Sequence, residues 1–278
     1  MHENALLKSV DRTKMNLITD RRRLLMHLRR FAPWLMLFGL VLVWQLIYML
    51  RVYPPFIIPA PVDVLVKFRD VLLDGRLFNH TIATLVNVLV GLVAGLLLAL
   101  TLGYAIAKTP ILEDILSPII VAIQSAPVVA YAPLLVIWFG SGPSSKIVTG
   151  ALIVFFPMLM NTIVGIRNVP ASLKDLMRSM QATPWQTFTR LEIPSAMPIL
   201  MSGLKISATL AVIGAVVGEF ISSNAGLGFL INLARSQYDT PLVLVAVLML
   251  TLIARLLYGV VSLLERSLLS WQRRSQRN

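Results

Sequence analysis

The chain contains no cysteine, only three histidines and only 13 acidic residues among 278. Without cysteine there is no disulfide, no thiolate catalysis and no cysteine-based metal site. His2, His27 and His80 are scattered, so no imidazole cluster has metal-ligand spacing. Charged residues make up 14% of the chain, where a soluble globular domain carries about a quarter. Equally absent are the phosphate loop G-x-x-x-x-G-K-[ST], the dinucleotide fingerprint G-x-G-x-x-G, H-E-x-x-H and CxxC. The chain therefore has no recognisable route to binding ATP, and any ATP-driven work falls to another subunit. No constellation of nucleophile, base and orienting group supports a membrane-embedded enzyme.

What the chain does have is apolar length. Hydrophobic residues are 57% of it and mean hydropathy is +0.79. They gather into six runs, 33–50, 81–107, 115–139, 147–166, 196–219 and 241–264. Each is close to the roughly 20 residues that cross a bilayer as a helix. The pattern predicts an all-α polytopic membrane domain of six spans over 33–266, between basic tails at 1–32 and 267–278. The first run is followed by no small-residue cleavage site, so it reads as a retained span rather than a signal peptide. An even number of spans places both termini on one side of the membrane. With that side cytoplasmic, the cytoplasmic segments hold 17 Lys and Arg and the external ones six (Arg51, Lys67, Arg69, Arg76, Lys146, Arg235). The positive-inside rule then puts both tails and residues 170–194 in the cytoplasm, and 51–80 outside. The net charge of +12 is explained by this distribution, with no nucleic-acid partner, and the N-terminal tail is suited to anionic membrane lipid.

Several features sit in or beside the spans. Val62, Leu65, Phe68, Val71 and Leu72 recur at helical spacing and predict an amphipathic helix on the membrane surface. Gly91/Gly95 and Gly214/Gly218 are small-xxx-small pairs, which allow close helix packing. Pro127, Pro133 and Pro157 interrupt spans, and Gln124, Ser125, Tyr131, Asn161 and Thr162 lie close to these breaks. Polar groups beside a broken helix either line a translocation path or hydrogen-bond between helices as packing glue. Glu219 joins these path candidates, although its place near the external end of a span also fits a simple boundary. Lys205 and Arg255 lie about nine residues from a cytoplasmic end and can snorkel to it.

One polar segment separates the long apolar runs. Residues 170–194 read as two short capped helices, with capping-box patterns at Ser172-Leu-Lys-Asp175 and Thr183-Pro-Trp-Gln186 and Pro184 at the first helical position. Leu173, Leu176, Met177 and Met180 recur at i, i+3, i+4 and i+7, one apolar stripe with Lys174 and Arg178 off it. Such a stripe either folds back on the membrane domain or enters a groove on a partner.

This hairpin resembles the cytoplasmic signature of ABC importer permeases, E-A-A-x-x-x-G followed after nine residues by I-x-L-P. Asp175-Leu-Met-Arg-Ser-Met-Gln181 and Leu191-Glu-Ile-Pro194 occupy the two parts with the spacing intact. Leu176 and Met177 replace the alanines, and Gln181 replaces a glycine that would favour a left-handed backbone. Phe56-Ile-Ile-Pro-Ala-Pro61, Ile137-Trp-Phe-Gly140, Phe155-Phe-Pro157 and Gly226-Leu-Gly228 resemble the nitrate/sulfonate/taurine branch. The stretches 211–220 and 236–241 resemble permeases for riboflavin or hydroxymethylpyrimidine, a thiamine precursor. The resemblance implies a type I ABC importer permease fold of six transmembrane helices, in a bacterial inner membrane. It implies a coupling hairpin in which Leu173, Asp175, Leu176, Met177, Met180, Gln181, Leu191 and Pro194 engage an ABC ATPase. It also implies a permease homodimer, an external or periplasmic solute-binding protein, and Mg-ATP held by the ATPase with no cofactor on this chain. A heterocyclic vitamin or precursor is the implied cargo, with nitrate, sulfonate or taurine as alternatives. A self-sufficient secondary transporter would need coupling-ion carboxylates at the bilayer midplane, and the sequence offers no compelling one.

Overall fold

The computed structural model describes residues 32–270, which are helical throughout apart from short connections. Two compact units divide the chain after Leu65. In the first, α1 (Ala32–Met49) is an 18-residue apolar helix with none of its length buried. Trp44 Nε1 donates to the Pro59 carbonyl at 2.9 Å, which folds the proline-rich link back along α1. Helix α2 (Pro61–Leu73) starts at a proline, with Asp63 accepting from the Ala60 N–H at 3.1 Å. Its buried positions are Val64 and Val71, with Phe68 half-buried between them, while Val62, Leu65 and Leu72 are exposed. The expected single apolar face is thus two. At 100° per residue Val64, Phe68 and Val71 fall in one narrow arc, and the other three lie on the adjoining flank.

The second unit is built on α3 (Arg76–Lys108), α6 (Pro143–Arg167), α9 (Ile193–Ile221) and α11 (Thr240–Leu268), all long and apolar enough to span a bilayer. Lipid is as apolar as a side-chain core, so helices here are held by close packing and interhelical polar contacts rather than by hydrophobic burial. The glycine pairs supply the close packing, and both close on α6. A Cβ at Gly91 would sit 3.2 Å from the Ile147 carbonyl and one at Gly95 2.6 Å from that of Ala151. A Cβ at Gly214 would meet the Gly150 Cα at 2.7 Å and one at Gly218 the Lys146 Cα at 2.9 Å. Farther along, Gly103 faces Thr162, and Gly203 faces Asn161.

These registers fix the directions of the helices. Residue numbers rise together along α3 and α6, so the two are parallel, and they run oppositely along α6 and α9. Lys205 of α9 pairs with Glu265 near the end of α11, which sets α11 antiparallel to α9. Lys108, Arg167 and Glu265 therefore lie towards one end of the bundle, and Arg76, Gly142 and Glu219 towards the other. Parallel α3 and α6 require the chain between them to return through the full thickness. The return is made by α4 (Pro110–Ser125) and α5 (Val128–Phe139), bent by 95° at Ala126 and Pro127. The expected third span is thus a broken one. Pro127 is its break, whereas Pro133 and Pro157 lie inside continuous helices α5 and α6. Five single helices are long and apolar enough to cross, and the bent pair makes a sixth crossing.

Candidate functional site

The hairpin joins α6 to α9 at the Lys108 end. Helix α7 (Ala171–Ser179) starts at Pro170, whose extended backbone and carbonyl receive the N–H groups of Leu173 and Lys174 at 3.1 and 3.3 Å. The expected Ser172/Asp175 capping box is not formed, because Pro170 starts the helix two residues before Ser172. Asp175 instead accepts from Arg178 at 3.4 Å on the exposed surface. At the other end of α7, Gln181 is left-handed at φ +52. The Ala182 N–H reaches the Met177 carbonyl and the Gln181 N–H that of Arg178, both at 2.9 Å. This is a Schellman turn with glutamine at the glycine position.

The second capping box is formed. Thr183 Oγ1 accepts from the Gln186 N–H at 3.2 Å, and Gln186 Oε1 accepts from the Thr183 N–H at 2.9 Å, with Pro184 next in the chain. Helix α8 (Pro184–Thr187) is not the separate second helix the sequence suggests. It passes through a π-helical turn, Phe188–Glu192, directly into α9, so residues 184–221 form one unbroken helical stretch. Pro194 sits in the first turn of α9.

The hairpin presents its stripe outward. Leu173 and Leu176 are exposed, Met177 is half-buried, and Met180 and Trp185 are 69% and 71% exposed. Its root is held firmly. Leu191 is buried, and Glu192, 1% exposed, accepts from Tyr104 Oη at 2.9 Å and Lys108 Nζ at 2.6 Å. Phe188 meets the Tyr104 ring edge-on at 5.0 Å and the Trp185 ring at 5.6 Å. Arg167, one turn before the hairpin, pairs with Glu113 of α4. Glu192 and Trp185 were not singled out from sequence. The available signal was a glutamate set directly before an apolar run, with Lys108 the single cation between the second and third runs.

A second polar centre lies at the opposite end. Glu219 is 1% exposed and does not mark a boundary. It accepts from Thr84 Oγ1 at 2.9 Å, Asn87 Nδ2 at 3.1 Å and the Gly228 N–H at 2.9 Å. Thr84 Oγ1 in turn accepts from the Leu227 N–H at 2.7 Å, and His80 Nδ1 from that of Gly226 at 3.1 Å. The first N–H groups of α10 (Leu227–Ser236) thus end on side chains of α3 and α9, replacing a cap that Gly226 cannot supply. Lys146, assigned to an external segment by sequence, is buried in the first turn of α6 against Gly218. Outside the spans, Lys67 of α2 pairs with Asp239 before α11 at 2.7 Å. Asp74 accepts from the Arg76 N–H, which holds its carboxyl below the usual carboxylate range.

The remaining path candidates do not gather in one place. Gln124 and Ser125 are exposed at the break between α4 and α5, and Tyr131 is half-buried on α5. Ser125 donates to the Val121 carbonyl at 2.7 Å. Asn161 donates to the Pro157 carbonyl at 2.8 Å, and buried Thr162 to that of Met158 at 2.7 Å. Lys205 does not stand alone, since it pairs with Glu265 and lies over the Tyr258 ring. Among the described residues no group of three His, Cys, Asp or Glu side chains has the arrangement of a metal site.

Comparison with known proteins agrees with this architecture. The riboflavin transport system permease protein RibX of Chloroflexus aurantiacus is 45% identical over 233 residues, 84% of this chain and 87% of that protein. The formylaminopyrimidine transport permease protein ThiX of Halalkalibacterium halodurans is 33% identical over 87% of this chain and 96% of that protein. Inward-facing crystal structures of the MetNI methionine ABC transporter share the fold, with a TM-score of 0.57 at 20% identity over 69% of this chain and 94% of the matched chain. Residues 91–270, which carry the glycine packing of α3 and α9 on α6, the hairpin, Glu219 and the Gly226–Gly228 loop, match the model of binding-protein-dependent transport system inner membrane components, and the chain belongs to that family of ABC importer permeases.

Proposed function

We propose that this chain forms half of a translocation path in a bacterial inner membrane, with a second copy as the other half. The hairpin, residues 170–194, is the point where an ABC ATPase drives it. The observation that carries this reading is the stripe of exposed Leu173, Leu176 and Met180 with half-buried Met177, on a helix closed at both ends and rooted through Leu191, Glu192 and Pro194. Apolar side chains at this exposure outside the bilayer are suited to a partner's groove, and Asp175 and Gln181 flank them. Because α8 continues into α9 without a break, a displacement of the hairpin is transmitted to a spanning helix as a lever rather than absorbed in a loop. Mg-ATP is held by the partner, and this chain supplies no covalent chemistry. An external binding protein delivers the solute at the Glu219 end, and Gln124, Ser125 and Tyr131 near the α4–α5 break border the path. Residues 33–266 are the permease domain, between two cytoplasmic tails.

The cargo is a flat heterocycle of the riboflavin or pyrimidine-precursor class, as the names of the two relatives suggest. The test of coupling is Met177→Asp. A charge stranded in a buried interface costs on the order of 2–5 kcal/mol, so the variant inserts and dimerises but neither co-purifies with the ATPase nor transports. Normal co-purification and uptake would remove the stripe from the docking surface. Radiolabelled riboflavin and hydroxymethylpyrimidine, offered to cells carrying the complete system, test the cargo. Accumulation of taurine or a sulfonate alone would replace the heterocycle and leave the coupling reading intact.

A further inference from the structure

At the hairpin end of the bundle an apolar crevice of about 350 Å³ opens between α3, α6 and the root of α9. Leu100, Tyr104, Ile166, Phe188 and Leu200 form most of its wall. It is distinct from the stripe on α7, which contributes no lining residue. Three hydroxyl groups reach its wall, and each is already committed. Thr101 donates to the carbonyls of Leu97 and Leu98 at 2.8 and 3.1 Å, Thr162 to that of Met158, and Tyr104 to Glu192. The crevice therefore offers an occupant apolar contact and little else. A soluble solute carrying its own polar groups would lose its water there without replacement.

Position selects the occupant. Thr101 and Leu100 lie seven and eight residues before Lys108 on α3, so they sit about 10–12 Å inside the helix end. That depth is the outer part of the hydrocarbon layer, where the surrounding solvent is acyl chain. At the mouth, Lys108 is 46% exposed, although its ammonium already serves Glu192. An ammonium has three donors, so capacity remains for a second anion. Arg190, on the π-helical turn that roofs the crevice, is exposed as well.

We infer that this crevice binds one acyl chain of a membrane phospholipid, with the lipid phosphate held at Lys108. A lipid seated there wedges the joint between α3 and the root of α9. It therefore braces the element through which hairpin motion reaches the membrane.

The permease, purified with its lipids in a mild detergent, should retain one phospholipid per chain in native mass spectrometry. After exchange into mixed phosphatidylglycerol and phosphatidylcholine, the anionic lipid should be preferred by about fivefold, the effect of one lysine beside a membrane surface. Thr101→Trp fills the crevice and should abolish retention. Ile213→Trp, on an exposed face of α9, should leave it unchanged and so controls for folding. Lys108→Gln still donates to Glu192, and should keep the lipid while losing the headgroup preference. Retention by Thr101→Trp equal to wild type, or no retained lipid of either kind, would overturn the inference. The chain has no cysteine, so Thr101→Cys is unique. A disulfide-linked dimer through that position would show a second copy in place of lipid and would overturn it too.

Discussion

Glu219 explains two glycines. A side chain at Gly226 would collide with the Glu219 carboxylate, and the φ of Gly226 is +112, outside the range of other residues. A Cβ at Gly228 would approach Glu219 Cβ to 2.8 Å. The motif Gly226-Leu-Gly228 is thus the shape that a buried glutamate imposes on the loop passing over it. Replacing Glu219 by alanine leaves Thr84, Asn87 and the Gly228 N–H without their acceptor. Each orphaned buried group costs about 1–3 kcal/mol, and thermal unfolding of the purified permease should fall accordingly. Gly226→Ala should destabilise through the same contact. The double variant should therefore lose less than the sum of the two single ones, because the collision with Glu219 disappears while the strain of the positive φ remains, a non-additivity expected of residues in one network. Additive losses would separate the two residues. Little of this was legible in the sequence. The partners of Glu219 lie 132 and 135 residues away, and a carboxylate near the end of an apolar run looks the same whether it meets headgroups or threonine. The ion pair of Lys205 was hidden for the same reason, its partner Glu265 being 60 residues distant. The glycine pairs were legible, because close approach is a property of the residue itself.

At the scale of the element, the hairpin tests which local signals are trustworthy. Thr183-Pro-Trp-Gln186 and Ser172-Leu-Lys-Asp175 are equally good capping boxes by spacing, yet only the first forms. The difference is the proline. In the first, Pro184 occupies the helix's opening position and leaves Thr183 as the cap. In the second, Pro170 itself takes the cap position and carries Ser172 inside the helix. Thr183→Ala should therefore cost about 1 kcal/mol of local stability, seen as faster amide exchange across α8, while Ser172→Ala should leave α7 unchanged. Gln181 was legible as the left-handed position, since it replaces the motif glycine, and its φ of +52 agrees. Gln181→Gly should relieve roughly 1 kcal/mol of backbone strain and slow exchange at the Ala182 N–H that closes the turn on Met177. Faster exchange in that variant would mean the glutamine side chain contributes more than its backbone costs. The π-helical turn at Phe188–Glu192 had no sequence signal, because nothing in Phe-Thr-Arg-Leu-Glu distinguishes hydrogen bonds that span five residues from those that span four.

At the scale of the whole molecule the governing constraint is parity. Because α3 and α6 are parallel, the bent α4–α5 pair must carry the chain from the Lys108 end to the Gly142 end despite its 95° break. Helix α9 then returns from the hairpin end, and α11 comes back to it. Hairpin, Lys108, Arg167 and the exit of α11 share one membrane face, and the α2–α3 link, the α5–α6 link and α10 share the other. Charge decides which face is which. Within 66–270 the balance is slight, since Lys67, Arg69, Arg76, Lys146 and Arg235 oppose Lys108, Arg167, Lys174, Arg178, Arg190 and Arg266. The cations of the tails, eight before residue 31 and three after residue 272, lie outside the described residues and decide for a cytoplasmic hairpin only if the tails emerge on its face. Single cysteines in this cysteine-free chain test each step, with an impermeant maleimide on intact cells. Arg69→Cys should label, and Lys174→Cys should label only after the membrane is permeabilised. Ser141→Cys, in the link between α5 and α6, is the decisive third reporter. It should behave as Arg69→Cys does. If instead Ser141→Cys labels only after permeabilisation and Lys174→Cys labels on intact cells, the α4–α5 pair turns back within the membrane, the parallel register of α3 on α6 is wrong, and the chain crosses five times.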